Sequence, residues 1–242
     1  MAADRSTPLL AVLFDADNVS ARHAEPILKE ITSYGEPALR RVYADWSKPS
    51  LKGWVETSRK LGLVTYQESA NTVGKNASDI GLVIDAMDIL HSGRFDGFVL
   101  VSSDSDFTRL AARIREQGLE VIGIGMEKTP ESLKNVCNRF VLIENIVDEP
   151  PPAPERGGQP QPQAAPKKPA KDAIPLILRA MERIAQDDEW YPLGALGQHI
   201  QAENPDFDSR SYGKKKLSDL IEELKRFETR KQGNQLMVRR VD

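Results

Sequence analysis

Short apolar runs alternate with longer amphipathic stretches through residues 9–143. Leu9–Phe14, Leu39–Ala44, Leu63–Tyr66, Gly97–Val101 and Glu120–Ile124 read as strands, with Val141–Ile143 as an edge strand. Between them, Ala21–Ser33, Leu51–Leu61, Ala77–Leu90, Phe107–Gln117 and Pro130–Val136 read as helices. Leu82, Val83, Ala86 and Leu90 share one face of the third helix, and Ser20 suits an N-cap for the first. Strands this apolar, alternating with helices, predict an α/β domain with a parallel sheet covered on both faces. Ligands of such sheets bind beyond the carboxyl ends of the strands.

The pattern changes after residue 149. Residues 150–169 hold eight of the sixteen prolines, which fix φ and remove backbone donors, so an extended linker is expected. Beyond it, Ala173–Ala185, Leu193–Ala202 and Leu217–Arg226 read as helices. Phe227–Lys231 and Gln235–Val241 alternate like a hairpin around Gln232-Gly233-Asn234. Three helices and a terminal hairpin predict a small winged helix. The expected organisation is a first domain over residues 1–149, a Pro-rich linker over 150–171 and a second domain over 172–242.

Composition narrows the setting. At 242 residues and 40% hydrophobic, the chain has enough apolar material for real cores. No apolar stretch approaches a membrane span, and Met1-Ala-Ala-Asp-Arg lacks the apolar core of a signal peptide. A single cysteine, Cys137, excludes an internal disulfide and reads as a small buried residue. Together these point to a cytoplasmic location and no membrane partner. His23, His91 and His199 show no zinc-ligand spacing. Residues 1–149 carry 17 Lys/Arg against 22 Asp/Glu, net −5, and residues 167–242 carry 15 against 13, net +2. Neither value marks a strong polyanion binder, so nucleic acid would need local basic patches or bridging metal ions.

The candidate chemistry lies at two strand tips. Leu9–Phe14 is followed at once by Asp15, Asp17 and Asn18, and Val99–Val101 by Ser102, Ser103, Asp104 and Asp106. On neighbouring parallel strands these carboxylates would gather at one spot, which is tolerable with a hard divalent cation or with a retained proton. Either Asp-x-Asp run alone is equally well read as a helix N-cap; the pair favours a metal site. Asp79 opens the helix over residues 77–90 after a polar loop. Asp85 lies six residues on, about 240° around the helix, so only one of the two can face the strand tips. Asp79 is favoured because the helix start borders those tips. Lys75 in the preceding loop and Asn18 are candidate substrate contacts, as is Ser103. No Gly-rich phosphate loop or nucleophile elbow is present.

The ordered set Val12-Leu-Phe-Asp-Ala-Asp-Asn18, Lys75-x-x-x-Asp79 with Asp85, Val101-Ser-Ser-Asp-Ser-Asp-Phe107 and Leu119-Glu-Val-Ile-Gly-Ile-Gly125 resembles the NYN domain, in the LabA-like (formerly DUF88) branch of the PIN-like nuclease superfamily. The resemblance covers roughly residues 8–147. It implies a PIN-like α/β sandwich and a ribonuclease site that uses Mg2+ or Mn2+. Asp15, Asp79, Asp104 and Asp106 match its acidic positions, and Asn18 its polar residue. Trp190-Tyr-Pro-Leu-Gly-Ala-Leu196, Phe207 and Tyr212-Gly-Lys-Lys-Lys-Leu-Ser-Asp-Leu-Ile221 resemble an OST-HTH, or LOTUS, domain, which implies a winged helix that binds RNA or protein partners. Arg210 and Lys214, Lys215 and Lys216 form a local basic cluster suited to phosphates.

The function expected is a metal-dependent endoribonuclease acting on single-stranded or structured RNA. Asp15, Asp79 and Asp104 would hold the metal, Asp106 would complete the acidic ring, and the winged helix would supply RNA or protein recognition. A homodimer is a further expectation. Two rivals remain open. One is a phosphatase of the haloacid-dehalogenase type with Asp15 as nucleophile. The other is an RNA- or protein-binding adaptor with a silent acidic site.

Overall fold

The computed structural model describes residues 7–67, 77–147, 167–184 and 189–241. The chain divides into two compact units, Met1–Asp148 and Glu149–Asp242.

Among the described residues of the first unit, six strands form one parallel sheet: β1 (Leu9–Asp15), β2 (Glu36–Ala44), β3 (Val64–Gln67), β4 (Gly97–Val101), β5 (Glu120–Gly125) and β6 (Arg139–Leu142). Their order is β3-β2-β1-β4-β5-β6. The helices are α1 (Ala24–Ile31), α2 (Lys52–Leu61), α3 (Ala77–His91), α4 (Thr108–Glu116), α5 (Glu131–Val136) and α6 (Ile143–Ile146). Alternation along β1 splits the core between the two sheet faces. Leu10, Val12 and Phe14 pack in one cluster with Ile27, Ile31 and Trp54 from α1 and α2. Ala11 and Leu13 pack in the other with Leu82, Ala86, Leu110 and Leu133 from α3, α4 and α5. The sheet covered on both faces is the architecture expected from the apolar runs. Cys137 is buried as expected, and that burial pushes its thiol up to about 12.

The strand order reverses between β1 and β4. In open α/β sheets such a reversal leaves a crevice at the carboxyl ends of the two flanking strands. Those ends are where Asp15 and the Ser102–Asp106 turn stand.

Several element boundaries differ from the sequence pattern. β2 begins at Glu36 rather than Leu39 and runs through Pro37. The proline lies ahead of Arg41–Ala44, where β3 pairs with β2, and beside an irregularity at Leu10/Ala11, so its missing donor is tolerated. The first, second and fourth helices open with 3₁₀ turns, at Ala21–His23, Pro49–Leu51 and Ser105–Phe107. The segment expected as an edge strand at Val141–Ile143 divides instead into β6 and the start of α6.

The second unit holds α7 (Ile174–Arg183), β7 (Tyr191–Pro192), α8 (Leu193–Glu203), α9 (Leu217–Glu223), β8 (Phe227–Gln232) and β9 (Gln235–Arg240). The strands form an antiparallel sheet in the order β7-β9-β8. Ile177, Met181, Leu196, Ile200, Leu220, Ile221 and Val238 make its core. Gly233, with φ +59°, makes the hairpin turn, as glycine does in two-residue loops. The two-residue β7 lies outside the sequence expectation, being too short for a periodic signal.

Candidate active site

Asp15 ends β1 and is 2% exposed. Its position in the alternation is that of Ala11 and Leu13, which turns it toward the α3 side of the sheet. A carboxylate this buried needs donors. Asn18 Nδ2 donates to its Oδ2 at 2.6 Å, Ser102 Oγ donates to the same oxygen at 2.7 Å, and the Asp17 amide reaches Oδ1 at 3.2 Å. Burial holds its pKa above the ordinary carboxylate value, with the Asp17 charge adding to the rise, while the Ser102 and Asn18 hydrogen bonds oppose it.

Ser102 joins the two strand tips. While its hydroxyl donates to Asp15, its oxygen accepts from the Asp104 amide at 3.0 Å. Asp104 then caps the 3₁₀ turn, accepting the Asp106 amide on Oδ1 at 2.9 Å. The N-cap role and a place beside Asp15 are therefore held by the same residue. The turn is braced from below by β5. Ser103 Oγ accepts the Met126 amide at 2.8 Å, and a Cβ at Gly125 would stand 2.7 Å from the Ser102 carbonyl oxygen and 2.8 Å from Thr129 Oγ1. Only glycine lets the two loops approach this closely.

Asp79 lies in the first turn of α3 and is partly buried. Its carboxyl is raised to about 6, first by burial and then by the charges of Asp15, Asp104, Asp17 and Asp106 in that order. Four carboxylates from two strand tips thus act on one at a helix start. Asp85 is engaged elsewhere. It forms an ion pair with Arg41 and accepts the Tyr43 hydroxyl, and Arg41 lies 4.8 Å from the Tyr66 ring centroid. The structure therefore brings Asp79, and not Asp85, into the field of the strand-tip acids.

Asp17 is turned outward and pairs with Lys48 Nζ at 2.6 Å. Lys75 lies outside the described residues. Among the described residues, no group of three or more His, Cys, Asp or Glu side chains stands close enough to hold a metal ion as the side chains are set. The donor set nevertheless has the chemistry of a hard-cation site, all carboxylate and amide oxygen with like charges left to repel one another.

In the second unit, Arg210 is clamped by Asp208, with Nη2 to Oδ2 at 2.7 Å and Nε to Oδ2 at 2.9 Å. Lys214 pairs with Glu223. Lys215 and Lys216 are exposed. Arg230 and Arg239 lie 4.0 and 4.9 Å from the Trp190 ring centroid, and Arg239 also bonds Glu228 at 2.6 Å.

Ser102 is the residue joining the two strand tips that sequence reasoning passed over in favour of Ser103. Both follow a strand, and only the turn geometry shows which hydroxyl reaches the neighbouring tip.

A six-stranded parallel sheet with acidic residues at its topological reversal defines an α/β protein with a candidate site at its strand tips. The chain belongs to the NYN domain family: the family model for the NYN domain matches residues 9–144, more than half of the chain. The model for the OST-HTH/LOTUS domain matches residues 165–238. NYN domains are PIN-like and nuclease-type, and OST-HTH domains bind RNA. No curated protein matches the chain. Among solved structures, a protein of unknown function from Vibrio parahaemolyticus is 24% identical, covering 59% of this chain and 96% of its own, with a TM-score of 0.49. An uncharacterized protein from Nitrosomonas europaea is 34% identical over 37% of this chain and 93% of its own, with a TM-score of 0.27. MurG from Acinetobacter baumannii is 13% identical over 83% and 65%, with a TM-score of 0.38. No helix among the described residues is long and apolar enough to cross a membrane.

Proposed function

We propose that the chain is a metal-dependent endoribonuclease whose OST-HTH unit holds RNA for the acidic centre. The observation that carries this reading is the field at Asp79, where Asp15, Asp104, Asp17 and Asp106 all act on one carboxyl. Asp15, Asp79 and Asp104 would hold Mg2+ or Mn2+, with Asp106 beside them. Such an ion, when bound, neutralises a phosphodiester and lowers the pKa of water. The protein's own part is to keep Asp15 in one orientation through Asn18 and Ser102, and to hold Asp104 at a fixed distance from it through the Ser102 hydroxyl. Tethering the RNA-binding unit raises the local concentration of substrate near the centre. The carboxylates and the Asn18 amide offer the hard oxygen donors such an ion takes. The phosphatase reading is disfavoured by the NYN match and by the burial of Asp15, whose Oδ2 already accepts two hydrogen bonds.

Manganese-dependent cleavage of single-stranded RNA by the full chain tests the proposal. Asp15→Asn and Asp104→Asn are each expected to lower it about a hundredfold. Undiminished cleavage in the double variant rejects the assignment, and absence of metal-dependent turnover in the wild type favours the adaptor.

A further inference from the structure

The loop after β1 carries the acidic centre on one side and a cavity on the other. The cavity measures about 590 Å³ and is walled by residues 16–22 and, on the Pro49–Leu51 turn and α2, by Ser50, Leu51, Gly53, Trp54, Glu56 and Thr57. That volume falls in the range of small-ligand pockets, roughly 300–1,000 Å³. Asp17 and Asn18 line it, and Asn18 is bonded to Asp15, so the cavity adjoins the centre across that one side chain. Its apolar wall is rigid. Leu51 and Trp54 are buried, Trp54 Nε1 donates to the Val19 carbonyl at 2.9 Å, and the Trp54 ring meets Phe14 edge-on at 5.6 Å.

Two features of α2 suggest what the space is for. Gly53 stands in the middle of its wall. A Cβ there would meet only Ala21 Cβ, at an ordinary 3.8 Å, so packing does not demand glycine. Gly53 lies in the first turn of α2, and its lack of a side chain leaves that part of the wall bare. Glu56 and Thr57, three and four residues on, share the face of Gly53 and supply a carboxylate and a hydroxyl at the rim. Arg22 closes the opposite rim, its Nε bonded to His23 Nε2 at 3.1 Å. An apolar wall with a carboxylate and a hydroxyl beside it suits a base and a ribose better than a bare phosphate, which Glu56 would repel. A carboxylate that accepts from a 2′-hydroxyl is a direct means of telling ribose from deoxyribose.

We propose that this cavity receives the ribonucleoside flanking the scissile phosphodiester, with Glu56 and Thr57 bonding its 2′-hydroxyl, so that it selects RNA over DNA. The inference rests on the nuclease reading above. Full-length protein with Mn2+ is assayed on a single-stranded RNA oligonucleotide, on the DNA oligonucleotide of the same sequence and on bis(p-nitrophenyl) phosphate, which has no nucleoside to seat. Gly53→Phe, which fills the cavity, is expected to lower kcat/KM for RNA about tenfold relative to bis(p-nitrophenyl) phosphate. Glu56→Ala, on the exposed rim, is expected to lower the RNA-to-DNA ratio severalfold, and it keeps the test open should Gly53→Phe fold poorly. Unmoved ratios in both variants, with an active wild type, overturn the cavity assignment alone. A wild type inactive on all three substrates overturns the nuclease reading, and this inference falls with it.

Discussion

Replacing Asp79 by asparagine should stabilise the metal-free protein at neutral and alkaline pH. The carboxyl is raised from 3.8 to about 6, foremost by burial and then by four aspartate charges. At about 1.36 kcal/mol per unit, a shift of that size corresponds to about 3 kcal/mol. Asp79 is only partly buried, and solvent screening lowers the figure to about 1 kcal/mol. Because the folded-state pKa lies above the unfolded one, the native state holds a proton that the unfolded chain has released. Stability contributed by Asp79 is therefore complete below about pH 4 and is lost as pH rises to about pH 6. The asparagine side chain cannot ionise, so the variant escapes that loss. Urea denaturation of EDTA-treated protein should show Asp79→Asn more stable by about 1 kcal/mol at about pH 8, with a rise of roughly 3 °C in Tm in a parallel thermal melt, and no gain at about pH 4. Added Mn2+ should reverse the order, stabilising the wild type more. A variant no more stable at about pH 8, or one whose gain persists at about pH 4, contradicts the raised pKa of Asp79.

Asp85→Ala should cost about 2 kcal/mol of stability in a thermal melt, because Arg41 and Tyr43 lose a shared partner, while manganese-dependent cleavage survives. Loss of cleavage without loss of stability would return Asp85 to the centre. Ser102→Ala removes the hydroxyl between Asp15 and the Asp104 amide and should lower kcat about tenfold with KM little changed; an unchanged kcat would make Ser102 ordinary turn scaffold. Joint replacement of Lys215 and Lys216 by alanine should weaken RNA binding severalfold in fluorescence anisotropy and flatten its salt dependence, whereas Arg210→Ala should matter less because Asp208 already holds that guanidinium. Equal affinity for the lysine variant would move the RNA contact to another face, such as the arginines stacked on Trp190.

The strand tips were legible because β1 and β4 are buried on both faces and so are written as unbroken apolar runs ending in acid. Strand–helix alternation then made the sheet parallel and set Asp15 and Asp104 at its carboxyl edge. Asp79 is preferred over Asp85 from helix geometry, but the partners that engage Asp85, Arg41 and Tyr43, stand on β2 more than forty residues earlier, and no local pattern announces such a pair. Ser102 was hidden for a similar reason. Its role depends on the turn after β4 and on the neighbouring strand, and side-chain alternation ends with the strand. The 3₁₀ turns that open α1, α2, α4 and α7, and the two-residue β7, are shorter than any period a sequence can display. The cavity beside Asn18 arises from two segments roughly thirty residues apart meeting across a glycine, which in sequence reads only as a weak point in a helix.

Anomalous scattering from crystals grown with manganese tests the acidic centre most directly. The expected result is one strong peak bridged by carboxylate oxygens of Asp15, Asp79 and Asp104, with Asp85 still on Arg41 and Tyr43. A peak coordinated by other residues, or no peak while the three side chains remain apart at saturating manganese, would contradict a metal-dependent nuclease at this site.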